Sequence, residues 1–286
     1  MTGFFFIMKK ISVAIQGIQA SFHHQVALSY FGSEVRVVEC KSFAEVSKSI
    51  SQSQSDFGVM ALENSIAGSI IPNYALIDTH NLQIIGEYYL NIQLNLMGFP
   101  GVLLENITEI HSHPIALLQC SVFLEQFPKI KLIETTDTAA AAKNVRENKL
   151  LHVGVLASPL ASQLYQLETI KSAVHTVKSN KTRFVILSKE KHLSQKSSPN
   201  KVSVKFELDD TPGSLATVLN VLNTSQLNLT KIQSMPIIEK PFKYSFFVDF
   251  VFSDYAFFEK ANRLLQIMTT EYKVLGEYQS GKSNLD

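Results

Sequence analysis

A polar triplet, Glu63-Asn64-Ser65, directly follows the apolar stretch 58–62 and precedes Gly68. The apolar stretch predicts a buried strand that ends at the triplet, and the residues after Gly68 could open a helix. In α/β proteins, polar side chains at a strand end beside a helix start are typical of ligand sites, and helix N–H groups favour an anion. The alternative is a capped turn, in which Asn64 or Ser65 closes a helix.

Composition narrows the classes of function. The 286 residues leave room for two or three domains, and 26 basic against 25 acidic residues give no electrostatic argument for a nucleic-acid partner. Two cysteines, Cys40 and Cys120, are too few for a disulfide framework and lack metal spacing. The pairs His23-His24 and His111-Ser-His113 have no partners at a recognisable zinc spacing. We therefore expect no metal.

The N-terminus is apolar but does not have the order of a signal peptide. Its apolar run comes before Lys9 and Lys10 and is too short for a membrane span. We expect a cytoplasmic protein without a membrane partner, and Met8 rather than Met1 could be the start codon.

Strands and helices alternate through the first 190 residues, which predicts a parallel, doubly wound α/β fold. Residues 82–96 predict extended chain that could cross to a second lobe. The expected strands cover 10–16, 35–39, 57–62, 110–112, 153–157 and 183–188. The expected helices cover 22–31, 42–50, 115–127, 139–145 and 159–165.

A different pattern follows residues 189–200, which are polar and read as a linker. The next eighty residues predict strands at 202–208, 228–238, 243–252 and 272–278, with helices beginning at Asp210-Thr211-Pro212 and after Asp254. The order β-α-β-β-α-β is that of a ferredoxin-like α+β module.

Several motifs, in order, make the chain resemble the prephenate dehydratase family over about residues 10–278. The motifs are Glu63-Asn64-Ser65 with Gly68, Ser112-His113-Pro114 with Gln119-Cys120, Thr138 to Ala142, Asn180 to Phe184, and Pro212 to Leu215 with Asn228-Leu229-Thr230. The resemblance implies a periplasmic-binding-protein-like catalytic region at 10–190, with lobes at about 10–90 plus 170–190 and at 91–169. It also implies a C-terminal ACT domain at 201–280.

Three motifs depart from the family pattern. Ala20 replaces the second glycine of the first loop, and Asp137 stands where a serine or threonine is usual. The ACT motif Glu-Ser-Arg-Pro becomes Gln233-Ser234-Met235-Pro236, which loses a charged pair.

The resemblance implies a carbon–oxygen lyase of L-phenylalanine biosynthesis that converts prephenate to phenylpyruvate, carbon dioxide and water without a cofactor. Thr182 would assist the departing hydroxyl, and Arg183 would clamp a carboxylate. The substrate would also contact Glu63, Asn64, Ser65, His113, Gln119 and Thr138. Each of three residues also has a structural alternative. Thr182 could be an ordinary strand threonine, and Arg183 could form a surface salt bridge or a structural contact of the lobes. For His113 we favour a cap at the start of a helix.

The resemblance further implies that L-phenylalanine binds between two ACT modules of a homodimer or homotetramer. The residues implied at this effector site are Pro212, Gly213, Ser214, Leu215, Asn228, Gln233 and Ser234. The alternative is a module that serves dimerisation alone.

Two other functions stay open. Arogenate dehydratase acts on a substrate with an amino group in place of the keto group, and a side chain near Ala67 or Ser69 could decide between the two. A two-lobed amino-acid-binding sensor with an ACT domain and no catalysis fits the layout equally well, although Thr182-Arg183 beside the Glu63 triplet argues against it.

Overall fold

The computed structural model describes residues 10–191 and 198–281. Both possible start codons, Met1 and Met8, lie outside these ranges, as do residues 192–197 of the predicted linker. The described chain forms two compact units. Unit 1 comprises the described parts of Met1–Val46, Ser55–Val59 and Leu90–Thr182. Unit 2 comprises those of Ser47–Gln54, Met60–Tyr89 and Arg183–Asp286.

Unit 1 contains the beginning of the first sheet and the whole of the second. In the first, β1 (Ser12–Gln16) lies between β2 (Arg36–Cys40) and the start of β3 (Phe57–Asn64), parallel to both. The second sheet has the order β10-β6-β9-β7-β8. Its strands are β6 (Asn95–Gly98), β7 (Glu109–Ser112), β8 (Lys131–Glu134), β9 (Val153–Ala157) and β10 (Glu168–Lys171).

Helices cover the strands of unit 1 with small and branched apolar side chains. Side chains of Ser21, Asp137 and Ser158 cap three of these helices at their N-termini. The helices are α1 (Phe22–Phe31), α4 (Pro114–Gln119), α5 (Ser121–Leu124), α6 (Thr138–Glu147) and α7 (Pro159–Tyr165), with a 3₁₀ turn at Leu104–Asn106. Helix α2 (Phe43–Ser51) runs from unit 1 into unit 2.

Unit 2 contains the rest of the first sheet, in which β11 (Lys181–Ser188) lies between β3 and β5 (Gln83–Asn91). The short strand β4 (Gly68–Ser69) pairs with the end of β3. Helix α3 (Ile71–Thr79) is tied to the sheet by Asn73, whose amide donates to the carbonyl of Ala61 at 2.7 Å.

Unit 2 also holds an antiparallel sheet of order β13-β14-β12-β15, with two helices. Its elements are β12 (Lys201–Glu207), α8 (Ser214–Thr224), β13 (Asn228–Pro236), β14 (Tyr244–Val251), α9 (Tyr255–Met268) and β15 (Glu271–Tyr278). The β-α-β-β-α-β order is the predicted one. An apolar core lies between sheet and helices, centred on Phe206, Phe250 and Phe258.

The strand β12 is buried on both faces. Its residues alternate between polar and apolar, a pattern that normally marks a strand with one face in water. Val202, Val204 and Phe206 lie in the core under the helices, yet the polar face with Lys201 and Ser203 is also buried. This polar face forms hydrogen bonds and ion pairs with other parts of unit 2.

The mixed α/β class and most element boundaries are confirmed, but several local features differ from those expected. The helix expected at 115–127 is two short helices that meet at Cys120, and the helix expected to begin at 210–212 begins at Ser214. The sequence analysis did not predict strands β4, β8 and β10. Neither Asn64 nor Ser65 caps a helix, because α3 begins after Ile70 without a side-chain cap.

The predicted domain boundaries stay predictions, because the compact units divide the chain differently. Unit 2 joins the C-terminal sheet to residues 60–89 and to the strand that begins at Arg183.

Candidate functional site

The polar triplet forms the end of a tight hairpin in unit 2. Glu63 pairs with Ser69, and Asn64 pairs with Gly68, which has the left-handed φ of 82°. The Asn64 side-chain oxygen accepts from the backbone N–H groups of Ile66 at 3.0 Å and Ala67 at 2.9 Å. Asn64 therefore shapes the turn, while Ser65 is exposed at its tip.

Thr182 and Arg183 are neighbours on β11 but belong to different units. Thr182 is 7% exposed. Just before it, Asn180 is buried and its carbonyl accepts from the N–H of Ile92 at 2.8 Å, which fixes the start of the strand. A buried hydroxyl on a hydrogen-bonded strand is well placed to be rigid, as a preorganised donor must be.

The guanidinium of Arg183, which we expected to clamp a substrate carboxylate, is bound by protein groups. Its Nε donates to Glu87 at 2.6 Å, Nη1 donates to Asp249, and Nη2 donates to the Tyr278 hydroxyl at 2.9 Å. The side chain is 3% exposed. This geometry favours the lobe-contact reading of Arg183 over the substrate clamp.

Lys201 completes this buried charge cluster of unit 2. Its ammonium donates to both carboxylate oxygens of Glu87, at 2.8 and 3.0 Å, and the N–H of Gly281 donates to the same carboxylate. Burial lowers the pKa of Lys201. Burial also opposes the charge on Arg183, but Asp249, Tyr278 and Glu87 outweigh it and raise the Arg183 pKa above its ordinary value.

The loop that follows β1 is held tightly inside unit 1. Gly17 has φ 90°, and Ala20, at the position of the missing glycine, has the left-handed φ of 70°. The carbonyl of Ala20 accepts from the Ser158 hydroxyl at 2.9 Å. The carbonyl of Gln19 accepts from the Tyr165 hydroxyl at 2.7 Å. Ala20 thus keeps the glycine-like backbone and adds a methyl group to the core.

Asp137 caps α6 and lies against this loop. Its carboxylate accepts from the N–H groups of Ala139 at 2.6 Å and Ala140 at 3.1 Å. Burial raises the pKa of Asp137, although the two backbone hydrogen bonds oppose that shift. The carboxylate therefore occupies two N–H groups in the first turn of α6, and half-buried Thr138 begins the helix.

His113 caps the helix that carries Gln119. Its Nδ1 accepts from the N–H of Ile115 at 3.3 Å, ahead of Pro114, which confirms the capping role. Gln119 ends this helix and is half-buried, and its carbonyl accepts from the N–H of Thr176 at 2.8 Å. His113, Gln119, Thr138 and Thr182 belong to unit 1, whereas Glu63, Asn64, Ser65 and Arg183 belong to unit 2.

The residues implied at the effector site lie in two places in the C-terminal part of the chain, at the start of α8 and on β13. Pro212 and Gly213 form an exposed turn before α8, and Gly213 has φ 84°. Ser214 and Leu215 open the helix, half-buried. The other three are on β13, where the Gln233 amide donates to the neighbouring carbonyl of Ser234 at 2.9 Å and Asn228 is exposed.

The sequence analysis did not single out Glu87, which pairs with Arg183, or Lys201, which pairs with Glu87. Glu87 lies in an apolar strand, and Lys201 lies on what looks like a solvent face, so each reads as an ordinary polar position. A glycine inside a strand often marks a close backbone approach, so Gly276 indicated that β15 packs closely against another element. A Cβ at Gly276 would overlap the carbonyl of Ile84.

Among residues 10–191 and 198–281, no group of three His, Cys, Asp or Glu side chains could hold a metal ion. Within the same ranges, every helix is too short or too polar to cross a membrane.

Comparison with known proteins identifies the family to which the motifs point. The family model described as prephenate dehydratase matches residues 13–192. A bifunctional chorismate mutase/prephenate dehydratase from Aquifex aeolicus is 33% identical over 94% of this chain and 74% of its own length. A chloroplastic arogenate dehydratase/prephenate dehydratase from Arabidopsis thaliana is 33% identical over 84% of this chain and 64% of its own.

Solved structures share the fold over nearly the whole chain. A prephenate dehydratase from Arthrobacter aurescens, in complex with L-Phe, has a TM-score of 0.85 at 23% identity, covering 95% of this chain and 91% of its own. A quorum-quenching acylase of a type described as novel has a TM-score of 0.84 at 25% identity, covering 94% and 98%.

Proposed function

This chain belongs to the prephenate dehydratase family, and we propose from this premise that it converts prephenate to phenylpyruvate. The observation that carries the proposal is the match of residues 13–192 to the family model, with Thr182 retained on a buried, hydrogen-bonded strand. In the reaction the ring carboxylate leaves as carbon dioxide and its electron pair enters the ring. The ring hydroxyl leaves and takes up a proton to become water.

We assign Thr182 the role of donor to the departing hydroxyl. A threonine hydroxyl is a weak acid, so its contribution is a strong hydrogen bond to developing negative charge at a dry site. Glu63, Asn64, Ser65, His113, Gln119 and Thr138 are the proposed substrate-binding residues. For Arg183 the geometry supports a positioning role, because its guanidinium fixes the strand next to Thr182 through Glu87 and Asp249.

The direct test is an assay of the purified full-length protein with prephenate, in which phenylpyruvate is followed by its absorbance in alkali. We expect turnover without added metal or cofactor. A protein that binds prephenate or an amino acid and forms no phenylpyruvate would instead be the non-catalytic sensor.

Arogenate dehydratase remains a second candidate, because relatives about as similar as the bifunctional enzymes carry that name. The two substrates differ in one group of the side chain, so kcat/KM for each should be measured on the same preparation. A higher kcat/KM for prephenate supports the first proposal, and a higher value for arogenate supports the second.

We further propose that residues 201–280 are an ACT domain through which L-phenylalanine inhibits the enzyme, and that the protein is a homodimer or homotetramer. Support comes from the β-α-β-β-α-β order and the exposed turn at Pro212 and Gly213. The Arthrobacter aurescens prephenate dehydratase, which shares the fold of this chain, was solved in complex with L-Phe, and this supports the proposal. Titration of L-phenylalanine into the full-length protein, with heat of binding and activity recorded together, tests the proposal; absence of both at millimolar concentration contradicts it.

A further inference from the structure

The hairpin that carries Asn64 and Ser65 has little backbone pairing of its own. Strand β4 contains two residues and forms two pairs with β3, Glu63 with Ser69 and Asn64 with Gly68. Two-stranded hairpins of this size are marginal in water without further contacts. The Asn64 side chain shapes the tip of the turn, and the base of the hairpin also receives contacts from outside it.

Lys231 supplies such a contact from the C-terminal sheet. Its ammonium donates to Glu63 at 2.6 Å and to the Ser69 hydroxyl at 2.6 Å. These acceptors belong to the two residues that face each other across the hairpin, so one ammonium joins both strands at its base. The Lys231 side chain is 14% exposed and that of Glu63 is 35% exposed, so water screens this pair less than a surface pair.

The direction of the lysine is set by the sheet that carries it. The register of β13 with β14 shifts between Leu229 and Lys231, and such an irregularity re-aims a side chain. Lys231 is directly opposite Asp249, so the two side chains share a face of the sheet. Asp249 is bound by Arg183, which anchors that region of the sheet.

We propose that Lys231 is a positioning residue, which holds the hairpin from Glu63 to Ser69 in the shape that presents Asn64 and Ser65 to substrate. The lysine acts through Glu63 and Ser69. The inference rests on the proposed function for what the hairpin binds, but the mechanical part, that Lys231 orders the turn, stands on geometry alone.

The test compares Lys231→Met with a matched control in the full-length protein. Methionine keeps the length of the side chain and removes the ammonium. Lys273→Met is the control, because Lys273 also lies on the C-terminal sheet and binds residues outside it, Asp78 and Asn81, both at 2.8 Å. Amide hydrogen exchange of residues 63–70, KM for prephenate and Tm are measured for both.

We expect Lys231→Met to speed exchange of the Ile66 and Ala67 amides about tenfold and to raise KM more than it lowers kcat. Lys231→Arg should recover part of both effects. The control should lower Tm by a similar amount while leaving exchange at the turn and KM unchanged.

Unchanged exchange and KM in Lys231→Met would overturn the proposal and leave a solvated ion pair. The same changes in Lys273→Met would also overturn it, because the effect would then be general loosening of unit 2. If the unaltered protein does not convert prephenate, the proposed function fails, and the exchange data still decide whether Lys231 orders the hairpin.

Discussion

At the scale of single residues, Thr182 is the side chain with the clearest chemical assignment. We expect Thr182→Ala to lower kcat by about 100- to 1000-fold, the usual cost of losing one preorganised donor, while Tm changes little. Thr182→Ser should keep far more activity because the hydroxyl remains. Steady-state kinetics with prephenate and a melting curve for each variant provide the test. Near-normal kcat in the alanine variant would refute the assignment.

Gly17 and Asp137 form a second residue-scale pair, inside unit 1. A Cβ at Gly17 would overlap the Asp137 carboxylate, and the φ of 90° is unfavourable for other residues. We expect Gly17→Ala to lower the free energy of unfolding by about 2 kcal/mol. Denaturant unfolding gives the value.

The control for that prediction is Asp137→Ser, which keeps a capping side chain and shortens it. The cost of Gly17→Ala should be smaller in the Asp137→Ser background, because the overlap is then relieved and only the backbone strain remains. If the losses in unfolding free energy for Gly17→Ala and Asp137→Ser simply add in the double variant, the Asp137 carboxylate does not clash with the new methyl group.

Gly276 sets how closely two elements of unit 2 approach. Because its Cβ would overlap the backbone carbonyl of Ile84, we expect Gly276→Ala to cost about 3 kcal/mol of stability. Gly98→Ala is a matched change inside a strand, where the atom nearest to the new methyl would be the movable side-chain end of Ile170 at 3.0 Å. If the two variants have the same Tm, the stability of the protein does not depend on the close approach of β15 to Ile84.

How far an element could be predicted depended on whether its contacts were local. Helices α1 and α7 have the expected boundaries, and in the structure a serine side chain caps each at its N-terminus. The helix at 115–127 divides at Cys120, for which the apolar pattern alone gave no sign. The triplet Glu63-Asn64-Ser65 was singled out correctly as a strand end. Its partner Lys231 was not, because the contact joins residues that are 168 positions apart.

At the scale of the whole molecule, the buried charge cluster joins strands β5 and β11 to the C-terminal sheet within unit 2. A chain that ends at Glu190 lacks Asp249, Tyr278 and Lys201, and it leaves Arg183 and Glu87 without most of their partners. Breaking buried charge pairs costs several kcal/mol, so we expect Tm of this chain to fall by about 10 °C.

Differential scanning calorimetry of the two chains measures that difference, with Lys191→Met in the full-length chain as the control, since its ion pair with Glu277 is half-exposed on the lysine side. An unchanged Tm in the shortened chain would mean that the cluster adds no stability. Tests of L-phenylalanine inhibition therefore belong on the full-length protein, because loss of inhibition in a shortened chain could reflect damage to Arg183.

The burial of the polar face of β12 also limits how such a protein can be recombined. Lys201 forms an ion pair with Glu87, and Lys205 forms one with Asp78. The two members of each pair therefore lie in distant parts of the sequence. In a hybrid that takes its last eighty residues from a relative, the side chains at positions 201 and 205 would come from a different protein than the carboxylates at 78 and 87. The two sets of charges would then not match. Exchange of the C-terminal sheet between relatives should therefore succeed only when residues 78 and 87 are exchanged with it.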